Sequence, residues 1–149
     1  MDGLERLVAY TCWANRAWAD FVHAHAAHDE YPAMMVSHVH LAEQVWFQRV
    51  YGEETRGGVF STLPEAELRA NAATSKERYA ELLDSDRDRT VAYRKLNGEP
   101  QESQVLDILN HLVTHGSHHR GQMAAHASRN GLTPPDTSYI TYARTRKLT

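Results

Sequence analysis

The sequence predicts an all-α protein whose fold is a four-helix bundle, with a short extended or hairpin connection before the last helix. Two observations support this prediction. Four stretches place apolar residues three or four positions apart, and Gly, Pro or charged turn residues separate these stretches. Packing four such helices together is the simplest way to bury four apolar stripes. We expect one domain over residues 1–149, because a chain of this length can bury a core without disulfides.

The first two helices are predicted over residues 2–28 and about 31–51, with Gly52 just beyond the second. Each has a continuous apolar stripe on one face. One polar residue interrupts each stripe, Asn15 in the first helix and His38 in the second. A polar side chain on an otherwise apolar face needs a buried partner, so these two positions are candidates for a functional role.

The third helix is predicted to begin at the sequence TLPE. Thr62 is the expected N-cap, Glu65 completes a capping box with it, and Pro64 lies in the first turn. The helix is expected to end near residues 84–89, where charged residues follow one another.

The sequence VAYRKLNGEPQE alternates weakly and contains Asn97-Gly98, so it predicts either an extended connection or a small hairpin. The fourth helix is predicted from Ser103 to about Asn130, where Gly131 and two prolines stop it. The closing segment, residues 139–149, has enough aromatic residues to pack on the helices.

Composition and charge exclude several classes of protein. The net charge is −3 with no basic stripe or polybasic patch, which argues against nucleic-acid binding and against a membrane surface. No apolar run reaches the ~18 residues of a membrane span, and the amino terminus has no signal-like apolar region, so we expect a cytoplasmic protein. Cys12 is the only cysteine, so any metal must be held by nitrogen and oxygen ligands.

Ten histidines is an unusually high number, and four of them lie in the sequence HLVTHGSHHRGQ of the fourth helix. At about 100° per residue, His115 and His119 fall in the same sector as the apolar residues that mark the inward face. His111 and His118 lie on the flank of that sector and are expected to be more exposed. Because His115 and His119 are four residues apart, their side chains can converge on one ion. The apolar residues of the inward face are Ile108, Leu112 and Met123.

A third ligand must come from another helix, and His38 is the leading candidate because it lies on an apolar face. His40 is turned about 200° from that face and cannot join the same site. Three imidazoles with open coordination positions are typical of a catalytic metal, and Asn15 would then contact a ligand or the substrate. Two alternatives stay open from spacing alone: His38 can be a core histidine bonded to a carbonyl, and the HxxxH spacing occurs by chance.

Four further residues are also interpreted from the sequence. Gly116 and Gly121 within the fourth helix indicate either close helix approach or room for a ligand. Cys12 at the edge of the first stripe is interpreted as a small buried thiol, with a nucleophile as the alternative. Glu43 is interpreted as a solvated charge.

The second-helix sequence SHVHLAEQVWFQRVYGE, together with HLVTHGSHHRGQMAAHASRNGLTPPDTSYITYAR, resembles the DinB-like superfamily of small metal-binding four-helix bundles. The sequence YTCWANRAWADF resembles that family's first helix, so the resemblance spans nearly the whole chain. Its most specific part is HxxxHRGQ with a histidine eight residues before Trp46. The resemblance implies His38, His115 and His119 as metal ligands, and it adds Gln122 as a residue that supports a ligand or contacts the substrate.

The resemblance also implies a range of chemistry. Some relatives are transferases or isomerases that use a low-molecular-weight thiol such as bacillithiol or mycothiol. The first hypothesis is therefore a transferase in which a divalent metal (Zn, Ni or Fe) activates such a thiol for attack on an electrophilic small molecule. Asn15 and Gln122 would orient a ligand, and His111 and His118 would line the mouth of the site or move protons.

Two other hypotheses remain at the level of sequence. The first is a hydrolase that uses metal-bound hydroxide, which would need a general base that no inward-facing carboxylate supplies. The second is a stress-related metal-binding protein without turnover. The resemblance further implies a homodimer from a bacterial source, and a nucleic-acid or membrane partner is not expected.

Overall fold

The computed structural model describes residues 1–146 and is mostly helical. The predicted helical fold is confirmed, and one short helix follows the four that were expected. The elements described are α1 (Gly3–His25), α2 (Glu30–Tyr51), α3 (Glu65–Asp84), β1 (Thr90–Arg94), β2 (Pro100–Gln104), α4 (Val105–Arg129) and α5 (Tyr139–Thr145). None of the helices in this range is both long enough and apolar enough to cross a membrane.

Local capping interactions fix the ends of α1 and α2. Asp2 caps α1 by accepting a hydrogen bond from the backbone N–H of Glu5, whose side chain bonds back to Asp2. The side chain of Asp29 accepts from the N–H of Tyr31 at the start of α2. Gly52 ends α2 with a φ of 67°, a left-handed conformation that glycine adopts without strain. These caps place the two helices close to their predicted limits.

The predicted capping box at the start of α3 is wrong. The helix begins at Glu65 with Pro64 as its N-cap, and no side chain caps it. A helix capped by Thr62 would need helical backbone at Leu63, a conformation that the following proline disfavours. The backbone N–H of Leu63 instead donates to Ser37 Oγ, at 2.9 Å, which ties this segment to α2.

The connection before α4 is an antiparallel hairpin rather than a simple extended segment. Thr90 of β1 pairs with Gln104 of β2 at one end of the ladder, and Arg94 pairs with Pro100 at the other. Gly98 in the turn has a φ of 85°, as the Asn-Gly sequence predicts. Since α4 starts directly after β2, the hairpin also sets where α4 begins.

The closing segment packs on α1, as its aromatic content predicts. The hydroxyl of Tyr10 donates to the backbone carbonyl of Thr137 at 2.9 Å, and the indole N–H of Trp18 donates to the Thr137 hydroxyl at 3.1 Å. Tyr142 of α5 is buried against Tyr10, with ring centroids 5.7 Å apart. Residues 147–149, the end of this predicted segment, lie outside the described residues.

Buried polar residues lie between two apolar clusters of the core. One cluster includes Phe47 and Leu109, and the other includes Trp18 and Met123. Along each long helix the buried polar residues fall between the positions that supply the two clusters. We call six of them the polar layer: Thr11, Asn15, His40, Glu43, Ser75 and Arg120.

Candidate metal centre

Three histidines from two helices converge at one point. His38 comes from α2, and His115 and His119 come from successive turns of α4. Nε2 of His115 lies 3.2 Å from Nε2 of His38 and 3.1 Å from Nε2 of His119. Each residue offers one ligand atom, all within 4.8 Å of one another, so the group could hold a metal ion. The structure thus brings together the three residues that the helical geometry selects.

Hydrogen bonds at the outer nitrogens fix the tautomers of two of these rings. Nδ1 of His38 lies 2.7 Å from the backbone carbonyl of Val59, and Nδ1 of His119 lies 2.7 Å from the side-chain oxygen of Gln122. A carbonyl oxygen only accepts, so both Nδ1 atoms carry the proton. In the neutral rings, each Nε2 atom therefore directs a lone pair toward His115.

The lone pairs on these nitrogen atoms repel one another and would be stabilised by a cation between them. Nε2 of His115 can donate a proton to only one of its two neighbours, and the other then faces it without a partner. A metal ion bound to all three Nε2 atoms would satisfy every lone pair. The outer N–H groups would keep their carbonyl partners, which is the usual support of metal-bound histidines. The residues present therefore fit a divalent transition metal.

The electrostatic environment favours the neutral rings of His115 and His119, the form that metal binding requires. Burial, together with the neighbouring His119 and His38, lowers the pKa of His115 to about 3. Burial also lowers the pKa of His119, while the hydrogen bond from its ring to Gln122 opposes that shift.

A loop that the sequence analysis did not connect with the site forms one wall of it. Phe60 stacks on the ring of His38, with centroids 4.4 Å apart and planes 6° from parallel. Phe60 is nevertheless 63% exposed, so it offers an aromatic face beside the cluster. Val59, whose carbonyl orients His38, lies in the same loop. Loops lack the periodicity that indicates a direction for each side chain, so no sequence signal identified these two residues.

The two flanking histidines lie at the rim of the cluster, and both are exposed. The ring of His111 is 5.4 Å from that of His115, and the ring of His118 is 5.1 Å from that of His119. His111 also meets the edge of Trp46 at 5.3 Å. Solvent therefore reaches both rings while they remain next to the predicted ligands.

Asn15 forms hydrogen bonds with other residues of the polar layer and makes no direct bond to the three histidines. Its side-chain N–H donates to Glu43 at 3.1 Å, and its oxygen accepts from Nη1 of Arg120 at 2.6 Å. Arg120 also donates to the hydroxyl of Thr11. The arginine that directly follows His119 is therefore directed toward α1, away from the cluster.

The interpretation of Glu43 as a solvated charge is wrong. Glu43 is 3% exposed and accepts hydrogen bonds from Asn15, Ser75 and Tyr79. The last two bonds are 2.7 and 3.0 Å long. Asn15 and Ser75 both stand on otherwise apolar stripes, and this pattern was the available signal for a buried polar partner. Nδ1 of His40 lies 3.6 Å from the same carboxylate, so His40 belongs to the polar layer and not to the three-histidine cluster.

The two glycines of α4 have different surroundings. A Cβ at Gly116 would lie 2.8 Å from Nη1 of Arg120 and 3.2 Å from the Thr11 hydroxyl. Gly116 therefore makes room for the arginine that links α4 to α1. Gly121 is exposed, and nothing lies within 4 Å of a Cβ placed there. Close approach thus explains Gly116, and the structure gives no account of Gly121.

Cys12 has the properties of a buried thiol rather than of a nucleophile. Burial and the nearby Glu43 carboxylate together raise its pKa to about 12. The reactive thiolate is then nearly absent at neutral pH. Cys12 lines a cavity of about 1050 Å³ between α1 and α3, which His40 also lines. His38, His115 and His119 do not line that cavity, so a ligand of the cluster must approach from another side.

Comparison with protein-family models gives a match. The family model described as DinB family matches residues 2–147. A comparison with curated proteins found no match.

Proposed function

The chain belongs to the DinB family, and on this premise we propose that it is a metal-dependent transferase. In this proposal His38, His115 and His119 hold one divalent transition metal, Zn, Ni or Fe, within a four-helix bundle formed by α1 to α4. The metal, when bound, supplies a Lewis acid that lowers the pKa of a low-molecular-weight thiol of the bacillithiol or mycothiol type. The thiol sulfur then forms a bond to an electrophilic carbon of a small molecule, the bond from that carbon to its leaving group breaks, and the thiol proton passes to a base at the site or to solvent.

The observation that supports this proposal most directly is the orientation of the three rings. Val59 and Gln122 hold the protons of His38 and His119 on the outer nitrogens, which leaves both Nε2 atoms free to bind a metal. Fixed tautomers lower the conformational cost of metal binding, because the rings need not turn when the ion arrives. Three protein ligands leave at least one coordination position for a thiol.

The remaining residues of the site have separate roles in this proposal. His111 and His118 lie at the exposed rim, where either ring can accept the proton that a thiol loses on binding. Phe60 offers an apolar face on which the electrophile packs. Gln122 positions the ring of His119 through the hydrogen bond to its Nδ1.

The hydrolase alternative has less support. A hydrolase whose general base is a carboxylate needs that carboxylate beside the metal to activate water. Glu43 is the one buried acid among residues 1–146, and its oxygens are bonded to Asn15, Ser75 and Tyr79. It is thus engaged in the polar layer.

Thiol transfer can be tested with the intact protein loaded with Zn, Ni or Fe. The protein is incubated with bacillithiol, mycothiol or cysteine and with 1-chloro-2,4-dinitrobenzene, and the thioether is measured by its absorbance. We expect adduct formation above the uncatalysed rate with the wild-type protein and with His25→Ala, an exposed histidine outside the cluster. His115→Ala should reduce it to background.

Two results would contradict the proposal. Equal rates for the wild type and His115→Ala would show that the cluster is not involved. A metal-loaded wild-type protein that forms no adduct with any of the three thiols would contradict the transferase activity and leave the hydrolase and the non-catalytic metal-binding protein.

A further inference from the structure

Arg49 of α2 is held between two aromatic rings. Its guanidinium lies 4.6 Å from the ring centroid of Trp46 and 4.9 Å from that of Tyr93 on β1. Both distances are in the range of cation–π attraction, which fixes the guanidinium without engaging its N–H donors. The position of this side chain is therefore determined, while the donors on its two terminal Nη atoms remain available; the Nε atom is buried.

Arg49 also lacks a partner for its charge in the part of the chain that the structure describes. No carboxylate of residues 1–146 lies within 4.0 Å of it, and its buried Nε has no hydrogen-bond partner there. By contrast, Arg78 on the neighbouring helix, which also covers an aromatic ring, forms an ion pair with Glu53 at 3.0 Å. Partial burial lowers the pKa of Arg49, and the nearby Tyr93 opposes this shift.

Arg49 lies on the side of the molecule that carries the three-histidine cluster. The ring of Trp46 meets the ring of His111 edge-on at 5.3 Å, and His111 lies 5.4 Å from His115. A small molecule bound at the cluster can therefore extend across His111 to reach Arg49.

We propose that Arg49 binds the anionic group of a molecule that acts at the three-histidine site, a carboxylate or a phosphate. The planar guanidinium offers two parallel N–H donors, which match both of these oxyanions. The assignment to a substrate depends on the proposed function, whereas the anion site itself does not. The substrate class that follows is a small molecule with an oxyanion at one end and the reacting group at the other.

The test uses the full chain without metal, so that it does not depend on turnover. Succinate and methyl phosphate are titrated separately, and binding is followed by the NMR signal of the Trp46 indole N–H, assigned with Trp46→Phe. We expect one of the two anions to shift this signal. Arg49→Met should weaken the binding of this anion at least tenfold. Arg49→Lys, which keeps the charge but not the two parallel N–H donors, should give an intermediate loss of affinity. Arg16→Met, at an exposed position of α1, should bind as the wild type does.

Thermal unfolding of each variant distinguishes binding from a purely structural role of Arg49. If Arg49→Lys is as stable as the wild type and binds the anion more weakly, the proposal is supported. If the wild type binds neither anion, or if Arg49→Met binds as tightly as the wild type, the proposal is overturned. In protein that forms thioether, Arg49→Lys should raise KM for the thiol or for a carboxylate-bearing electrophile, and this identifies which one carries the anion.

Discussion

The guanidinium of Arg120 occupies the space where a side chain at Gly116 would lie. Nη1 of Arg120 is 2.8 Å from the ideal Cβ position of Gly116, one turn earlier on α4. The same nitrogen donates to Thr11 and Asn15 on α1. The absence of a side chain at position 116 is therefore a condition for the contact between α4 and α1.

Replacing Gly116 with Ala should destabilise the protein by about 1–3 kcal/mol, because the new methyl group overpacks a rigid, hydrogen-bonded site. Gly121→Ala is a matched control on the same helix. It meets open space and should stabilise the helix by about 0.5–1 kcal/mol. Urea unfolding of both variants measures the free energies. Equal effects at the two positions would show that Arg120 moves away at little cost.

Replacing Glu43 with Gln should destabilise the protein by about 2–3 kcal/mol. The buried side chain would lose its charge and one of its two acceptor oxygens, and its three hydrogen bonds would be weakened or lost. Glu54→Gln, at an exposed loop position, is the control and should change the free energy of unfolding by less than about 0.5 kcal/mol. Thermal and urea unfolding both report the difference. A variant as stable as the wild type would mean that the polar layer does not depend on the charge of Glu43.

Metal binding should be stoichiometric and stabilising. Elemental analysis of the wild-type protein should give one divalent ion per chain, and the ion should raise the melting temperature by several degrees because it binds only the folded cluster. His38→Ala, His115→Ala and His119→Ala should each lose the ion and the stabilisation. His25→Ala should keep both. A metal-free wild-type protein at neutral pH, even after dialysis against Zn or Ni, would exclude the site.

The stability of the metal-free protein should fall as the pH is lowered. The pKa of His115 is about 3 in the folded chain against an ordinary value of 6.5, so the unfolded chain binds more protons between these two pH values. His119 is shifted in the same direction. The melting temperature should therefore be several degrees lower at pH 5 than at pH 7.5, and His115→Ala should reduce the difference. Identical pH profiles for the two proteins would contradict this assignment.

Cys12 should react slowly with thiol reagents in the native protein. Its pKa of about 12 leaves almost no thiolate at pH 7.5, and its side chain is partly covered by the core. Modification by a chromogenic disulfide should be at least tenfold faster in urea than in native buffer. In addition, Cys12→Ser should leave thiol transfer unchanged. Rapid native labelling would restore the alternative of a cysteine nucleophile.

Helical periodicity explains why the three clustered histidines could be predicted from sequence. A spacing of four residues fixes the direction of His115 relative to His119, and the apolar stripe of α2 fixes that of His38. Periodicity indicates the direction in which a side chain points but not how deeply it is buried, and it does not identify its partners on other helices. The buried state of Glu43 was missed for this reason. It depends on Asn15, which lies on another helix.

Local rules also failed where another constraint was stronger. The residue types at Thr62 and Glu65 suit a capping box. The box does not form, because Pro64 disfavours the helical backbone conformation that Leu63 would need. The contacts of Val59 and Phe60 with His38 arise from a loop, where the conformation depends on the rest of the fold. Such contacts are visible only in three dimensions.

The partner that orients His38 is the main chain of Val59, and no change of side chain can delete a main-chain carbonyl. A complete substitution scan of position 59 should therefore leave metal affinity almost untouched, apart from proline. Deleting one residue from the preceding Gly57-Gly58 pair would shift the carbonyl and should release the ring. The orientation of the His38 ring thus depends on the length of a loop, and a comparison of aligned residue identities alone would not detect this dependence.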